Sequence, residues 1–353
     1  MDTQHITGTA FALSGGLLSN IDAKTTHGLL RGSERFTITA VIDPLHAGKD
    51  AGTVMDGRPL NIPVFATLEV ALAHLPKPDF CIVGVATVGG ILPPELAQTV
   101  ETALRAGISI VNGLHDYLSE RPDMAALAAQ YGAQLYDVRK PKKRSDLHFW
   151  SGTVFEVGCP IVAVLGMDCA MGKRTTARFI RDACRHAGLN AEMVYTGQTG
   201  WMQGNRFGFI FDSTLNDFVT GELEHAIVSA WQQAKPDLIL LEGQSSLRNP
   251  SGPCGPEFLV SGHAKYVVLI HEPKRAFYDH DPKWGKIPPV ESEIQLIQAY
   301  GSTVIALALN TSACTPEEAQ HYRQTYAQQL GIPVLLPLET GVEELVPVLQ
   351  SMF

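Results

Sequence analysis

Pro160-Ile-Val-Ala-Val-Leu-Gly-Met-Asp-Cys-Ala-Met-Gly-Lys-Arg-Thr-Thr176 is the stretch that decides the fold. Ile161 to Leu165 is an apolar run of the length of one buried parallel strand, and a Gly-bounded loop, Gly166 to Gly172, follows it. Lys173, Arg174, Thr175 and Thr176 then lead into a helical segment, Ala177 to Ala187, stopped by Gly188. Strand, glycine-bounded loop, Gly-Lys and helix is the pattern of a phosphate cradle, in which backbone N–H groups and a helix N-terminus face an anion and the lysine adds a point charge. Two departures stand out. Met167 occupies the place where the first glycine of such a loop usually stands, with Gly166 one residue earlier, and Arg174 replaces the hydroxyl residue that would hold Mg²⁺. A glycine-rich turn without ligand is the alternative.

Downstream the chain keeps alternating. Ala191 to Tyr195, Pro236 to Glu242, Tyr266 to Ile270, Thr303 to Leu309 and Gly331 to Leu336 read as strands, with helices over about 316–330 and from about 342. Upstream, Thr37 to Ile42, Phe80 to Val85, Ile108 to Val111 and Gln134 to Val138 read as strands, with helices over about 93–105 and 124–131. Short apolar strands separated by helices predict α/β architecture: two doubly wound parallel-sheet domains, Rossmann-like over 1–145 and P-loop NTPase-like over 146–353. The basic run Arg139-Lys-Pro-Lys-Lys-Arg144 marks the boundary, as a solvated linker or a phosphate contact.

The composition narrows the function classes. The chain has 353 residues, 45% hydrophobic and 18% charged, as expected of an ordered globular protein. Its 27 Lys+Arg against 36 Asp+Glu give −9, so charge offers no general basis for binding nucleic acid or an anionic membrane. No apolar run reaches the roughly 20 residues that span a bilayer, and Met1-Asp-Thr-Gln-His5 does not resemble the start of a signal peptide. Six scattered cysteines without a CxxC pair suit a reducing cytoplasm and point to neither a zinc site nor a disulfide framework. A cytoplasmic protein acting on a small molecule, as a homo-oligomer, is the expectation.

Ligands of parallel sheets gather at the carboxyl ends of strands. In the first domain that draws Asp43, Gly89, Gly90, Asn112 and His115 to one edge, as ligand contacts or as ordinary turns and caps. His27, in the polar segment Ala23 to Arg31, is either a solvated or capping histidine or a substrate contact. In the second domain Glu242 ends an apolar strand and would place a carboxylate near the cradle. The loop Thr196 to Gly204 offers Gln198, Thr199 and Gly200 to a substrate, and the Gly- and Pro-rich segment after Gln244 reads as a lid or substrate wall. Asp279-His-Asp281 reads as a solvated polar loop rather than a metal cluster, and no metal is expected.

Gly166 to Thr176 resembles the variant phosphate loop of dethiobiotin synthetase and its relatives, whose first glycine is also one place early, and Glu242-Gly243 resembles their Glu-Gly strand end. Together with Ala23 to Arg31 and the two-domain layout, the chain is similar to a bacterial family long of unknown function. It pairs a Rossmann-like with a dethiobiotin-synthetase-like P-loop domain and includes the D-glutamate N-acetyltransferases. The resemblance implies acetyl transfer from acetyl-CoA to the amine of D-glutamate.

Residues 166 to 176 (Met167, Asp168, Cys169, Ala170 and Met171 lie between the glycines) would then hold the cofactor. Asp168, Glu242 and Lys173 would serve catalysis, with Asp168 or Glu242 as base. Arg206, Arg248 and Arg275 are candidates for a substrate carboxylate. Cys169, near a helix N-terminus, is either a possible acyl carrier or a small loop residue packed inward. Arg174 favours a phosphate that is bound and not cleaved, as in CoA. An ATP- and Mg²⁺-dependent carboxylase or ligase, and a non-catalytic nucleotide sensor, are the alternatives.

Overall fold

A computed structural model describes residues 6–352. The pentapeptide Met1 to His5, read above for targeting signals, lies outside the described residues, as does Phe353. By its contacts the chain forms two compact units, residues 1–141 with 198–205, and residues 142–197 with 206–353. The sequence reading drew one boundary after residue 145 and had no reason to assign the short segment 198–205 to the first half.

The first unit carries β1 (Gly8–Leu13), β2 (Phe36–Ile42), β3 (Val64–Phe65), β4 (Phe80–Val83), β5 (Ser109–Asn112) and β6 (Leu135–Asp137). They form a wholly parallel sheet in the order β3-β2-β1-β4-β5-β6, the order of dinucleotide-binding folds. Its helices are α1 (Lys24–Leu30), α2 (Ala51–Asp56), α3 (Leu68–His74), α4 (Pro94–Arg105) and α5 (Pro122–Tyr131). The central strand β1 escaped the sequence reading because Gly8 and Thr9 open a run too short and too mixed to stand out. So did α1, whose polar Lys-Thr-Thr-His face disguises its helical period.

The second unit carries β7 (Ile161–Gly166), β8 (Ala191–Tyr195), β9 (Phe207–Gly208), β10 (Leu238–Glu242), β11 (Tyr266–His271), β12 (Thr303–Leu309) and β13 (Val334–Leu335). Their order is β13-β12-β11-β7-β10-β8-β9, again all parallel. Every residue of β7 and of β10 is buried, because helices cover both faces of such a sheet and leave no polar side to the strand. Those helices include α6 (Lys173–His186), α8 (Asn216–Ala234), α9 (Val290–Ala299), α10 (Pro316–Leu330) and α11 (Val346–Gln350). The five-residue α7 (Gln198–Met202) belongs instead to the first unit. Helix α6 begins at Lys173, four residues before the expected start, since the loop delivers the chain directly into its first turn.

The basic run is not a free linker. Glu222, buried on α8, accepts Lys142 Nζ at 2.6 Å, His148 N at 2.9 Å and His148 Nδ1 at 2.8 Å. Two residues on, Glu224 accepts Ser151 N at 2.6 Å and Val154 N at 3.1 Å. The segment 142–154 thus crosses α8 as a strap. It crosses at Gly221, where an added Cβ would lie 2.0 Å from His148 O.

Two outcomes follow from this packing. Gly221→Ala has to displace the strap and is expected to lose about 1–3 kcal/mol in urea unfolding, an overpacking cost; an unchanged midpoint contradicts the crossing. His271, at the end of β11, is buried, and desolvation holds its imidazole at about 4 against 6.5 in the unfolded chain. Between those values the unfolded state binds the extra proton, so folding weakens as pH falls from about 6.5 to about 4, by about 3 kcal/mol. His271→Gln should remove that part of the acid sensitivity, compared by urea midpoints at pH 7 and pH 4.

Candidate active site

Strand β7 brings the chain to the carboxyl edge of the second sheet, and the loop after it folds into a concave run of amides. Ala170 at φ +53° and Gly172 at φ +101° are the loop's two residues of positive φ, each flanked by residues outside that region, an alternation that suits a concave nest of N–H groups. Among the described residues no protein acceptor meets the N–H groups of Cys169, Ala170, Met171 and Gly172. At the first turn of α6 they join the positive end of a helix dipole, so the loop has the chemistry of an anion site. Lys173 is buried, and its Nζ donates to Asp168 O at 2.6 Å and Ser245 O at 2.7 Å. Burial pushes its ammonium below the ordinary lysine range. From β12, Asn310 Nδ2 donates to Met171 O at 3.3 Å and steadies the loop from its other side.

Asp168 has no solvent exposure, and both its oxygens are taken. Oδ1 accepts Asn249 Nδ2 at 2.7 Å; Oδ2 accepts Arg275 NH1 at 3.0 Å and Asp279 N at 2.8 Å. Arg275 also donates to Cys169 O at 2.8 Å and lies 2.6 Å from Glu272. A carboxylate engaged by three donors of its own protein holds the loop in shape. Cys169 Sγ lies 3.5 Å from Ser245 Oγ and 3.7 Å from Asn249 Nδ2. The ligand atoms of Asp168, Cys169 and Asp279 lie within 4.8 Å of one another. The Asn249 amide donates to all three, at 2.7, 3.7 and 3.2 Å, and occupies the position a cation would need. Asn249 was missed by the sequence reading, and a lone Asn before Pro250 carries no signal that would have found it.

Glu242 is buried at the end of β10. Thr196 N donates to its Oε2 at 3.0 Å, and Gly197 N also bonds its carboxylate. Desolvation raises its carboxyl above the usual range, with Arg174, these amides and Lys173 pulling the other way. Thr196 Oγ1 donates to Glu242 O at 2.7 Å and accepts Gln244 Nε2 at 2.9 Å, which fixes the strand end. An acid of raised proton affinity beside two cations and an anion cradle can exchange a proton with a bound ligand.

The remaining expected substrate residues are engaged elsewhere. Gln198 and Thr199 are buried in the first unit, where Gln198 Oε1 accepts Arg139 NH2 at 2.9 Å and the Thr199 hydroxyl meets that of Thr25 at 3.0 Å. Gly200 lies in the same α7, held by Arg35, which stacks 4.2 Å over Trp201 and donates to Trp201 O at 2.9 Å. His27 Nε2 pairs with Leu18 O at 2.7 Å within the first unit. Arg248 donates to Glu293 Oε2 at 2.7 Å and Ser292 Oγ at 3.0 Å, and Arg206 to Gln233 at 2.7 Å. Asp43 is saturated by Ser14, Gly16, Leu18, Leu45 and His46, and Asn112 donates to Asp116 O and Asp137. At the first sheet's switch point Thr26 donates through N and Oγ1 to Gly84 O.

Comparison with known proteins finds two family models along the chain. Residues 44–141 match a domain of unknown function described as Rossmann-like, DUF1611_N, and residues 148–346 match the DUF1611_C P-loop domain. A D-glutamate N-acetyltransferase of Tritonibacter scottomollicae is 29% identical over 296 residues, 81% of this chain and 84% of the relative. Another, from a Pseudoalteromonas species, is 26% identical over 271 residues, 75% and 79%. A DUF1611 family protein from Anabaena variabilis has a crystal structure that superposes with TM-score 0.88 at 28% identity, covering 98% of this chain and all of that one. With both family models in their expected order along one chain, the protein belongs to the DUF1611 family of paired Rossmann-like and P-loop domains.

Proposed function

We propose that the protein is an N-acetyltransferase that moves acetyl from acetyl-CoA to the amine of an acidic amino acid, D-glutamate first among them. The observation that carries this reading is the similarity to two proteins named D-glutamate N-acetyltransferase, which is long enough to run through both domains. The site is compatible with it. The amides of Cys169 to Gly172, Lys173 and Arg174 suit a phosphate group of CoA that is held and not cleaved, and the residue after the lysine carries no hydroxyl for Mg²⁺.

Glu242 is the group we assign as base. Its raised proton affinity, caused by burial, suits it to take a proton from the substrate ammonium. The freed amine attacks the thioester carbonyl carbon, and the C–N bond forms as the C–S bond breaks. The proton that nitrogen loses on becoming an amide goes to the departing sulfur. Asp168 is assigned a holding role, since the three hydrogen bonds it accepts tie together the loops that follow β7, β10 and β11.

Incubation with acetyl-CoA and D-glutamate should release free thiol in step with N-acetyl-D-glutamate; absence of thiol release with D- and L-glutamate and aspartate would sink the proposal, and Mg²⁺-dependent ADP formation from ATP would replace it with a ligase. Lys173→Ala should abolish the thermal stabilisation given by acetyl-CoA. Glu242→Gln should keep that stabilisation and lose about 10²–10⁴-fold in kcat. In the wild type, kcat/KM should fall on the acid side as Glu242 takes up its proton, at a pH above the ordinary carboxylate range, and a profile flat to pH 4.5 would remove Glu242 from the role.

A further inference from the structure

The strap across α8 ends in side chains that the fold leaves in water. Phe149 is 67% exposed, Phe155 58% and Trp150 40%, and beside them Leu215 and Val260 are each 54% exposed. They are contiguous. Phe149 packs 4.4 Å from Phe218, one turn from Leu215, and Trp150 meets Phe155 edge-on at 5.6 Å. Trp150 Nε1 donates to Ser261 O at 3.0 Å, next to Val260, and Phe155 stands 4.9 Å from the His263 ring. The rings are therefore held in fixed positions, so little side-chain freedom remains to be lost on association.

We propose that this face is where a second copy of the chain docks, in a two-fold dimer. At ordinary side-chain areas the exposed parts of the five residues amount to roughly 500 Å² of apolar surface. A standard interface takes about 800 Å² from each partner, of which about 65% is apolar in homodimers, again roughly 500 Å². Charge points to the same occupant. Each copy carries −9, so two copies repel over most of their surface. Phe149-Trp-Ser-Gly-Thr-Val-Phe155 contains no ionisable side chain, and a two-fold contact sets like against like, which a neutral apolar patch tolerates and a charged one does not.

Light scattering on the eluting protein at about 20 μM should give twice the chain mass for the wild type and the single chain mass for the F149E/F155E double variant. Both should share one far-UV spectrum and thermal midpoints within a few degrees. L45E, which charges a still more exposed leucine of the first unit, should remain dimeric. A monomeric wild type, a dimer that survives F149E/F155E, or one lost equally in L45E overturns the proposal. So does a monomer that sediments with phosphatidylserine vesicles through these aromatics, which would make the face a membrane contact.

Discussion

One buried carboxylate sets the shape of the second domain's working edge. Asp168 is out of water, and such a charge is tolerated only when its partners close around it. Those partners come from two places: Asn249 follows β10, and Arg275 and the Asp279 amide follow β11, while Asp168 itself follows β7. A single side chain thus binds the loops of three adjacent strands. The amides of Cys169 to Gly172 are oriented before anything binds, so a ligand does not have to organise them.

The same network explains how the cations are distributed. Arg275 is committed to Asp168 and Glu272, Arg248 to Glu293. Lys173 is close to the cradle, but its ammonium rests on two carbonyls. An incoming anion competes with those carbonyls for a lysine that is already desolvated, so the cost of stripping water from it has been met by folding. Glu242, raised by burial next to this charge, is the complementary half of the arrangement.

How much was legible followed from where the information lies. The P-loop and the strands β7, β10, β11 and β12 could be read because each is a local apolar run closed by a distinctive residue. The place of Glu242 at the end of β10 could be read because an acid closes that apolar run. Gln198, Thr199 and Gly200 were assigned to a substrate because small polar residues around glycines look the same whether their partner is a ligand or protein. Only the fold shows Thr199 meeting Thr25 across 174 residues of chain. Arg248 and Arg275 looked available for the same reason, since Glu293 and Asp168 are distant in sequence. Asn249 could not be read at all, because its role depends on three loops converging.

The excursion of Gln198 to Asn205 makes the chain pass between the two units three times, after Pro141, after Gly197 and after Asn205. A domain joined at one point can be duplicated, lost or exchanged by a single genetic event. Here a piece ending at Pro141 would leave without Trp201 and Met202, which are buried in the intact first unit, and the remaining piece would carry them away from the residues that cover them. The two domains are therefore tied as an inheritance unit, and lineages that keep one half should be found to have kept the other.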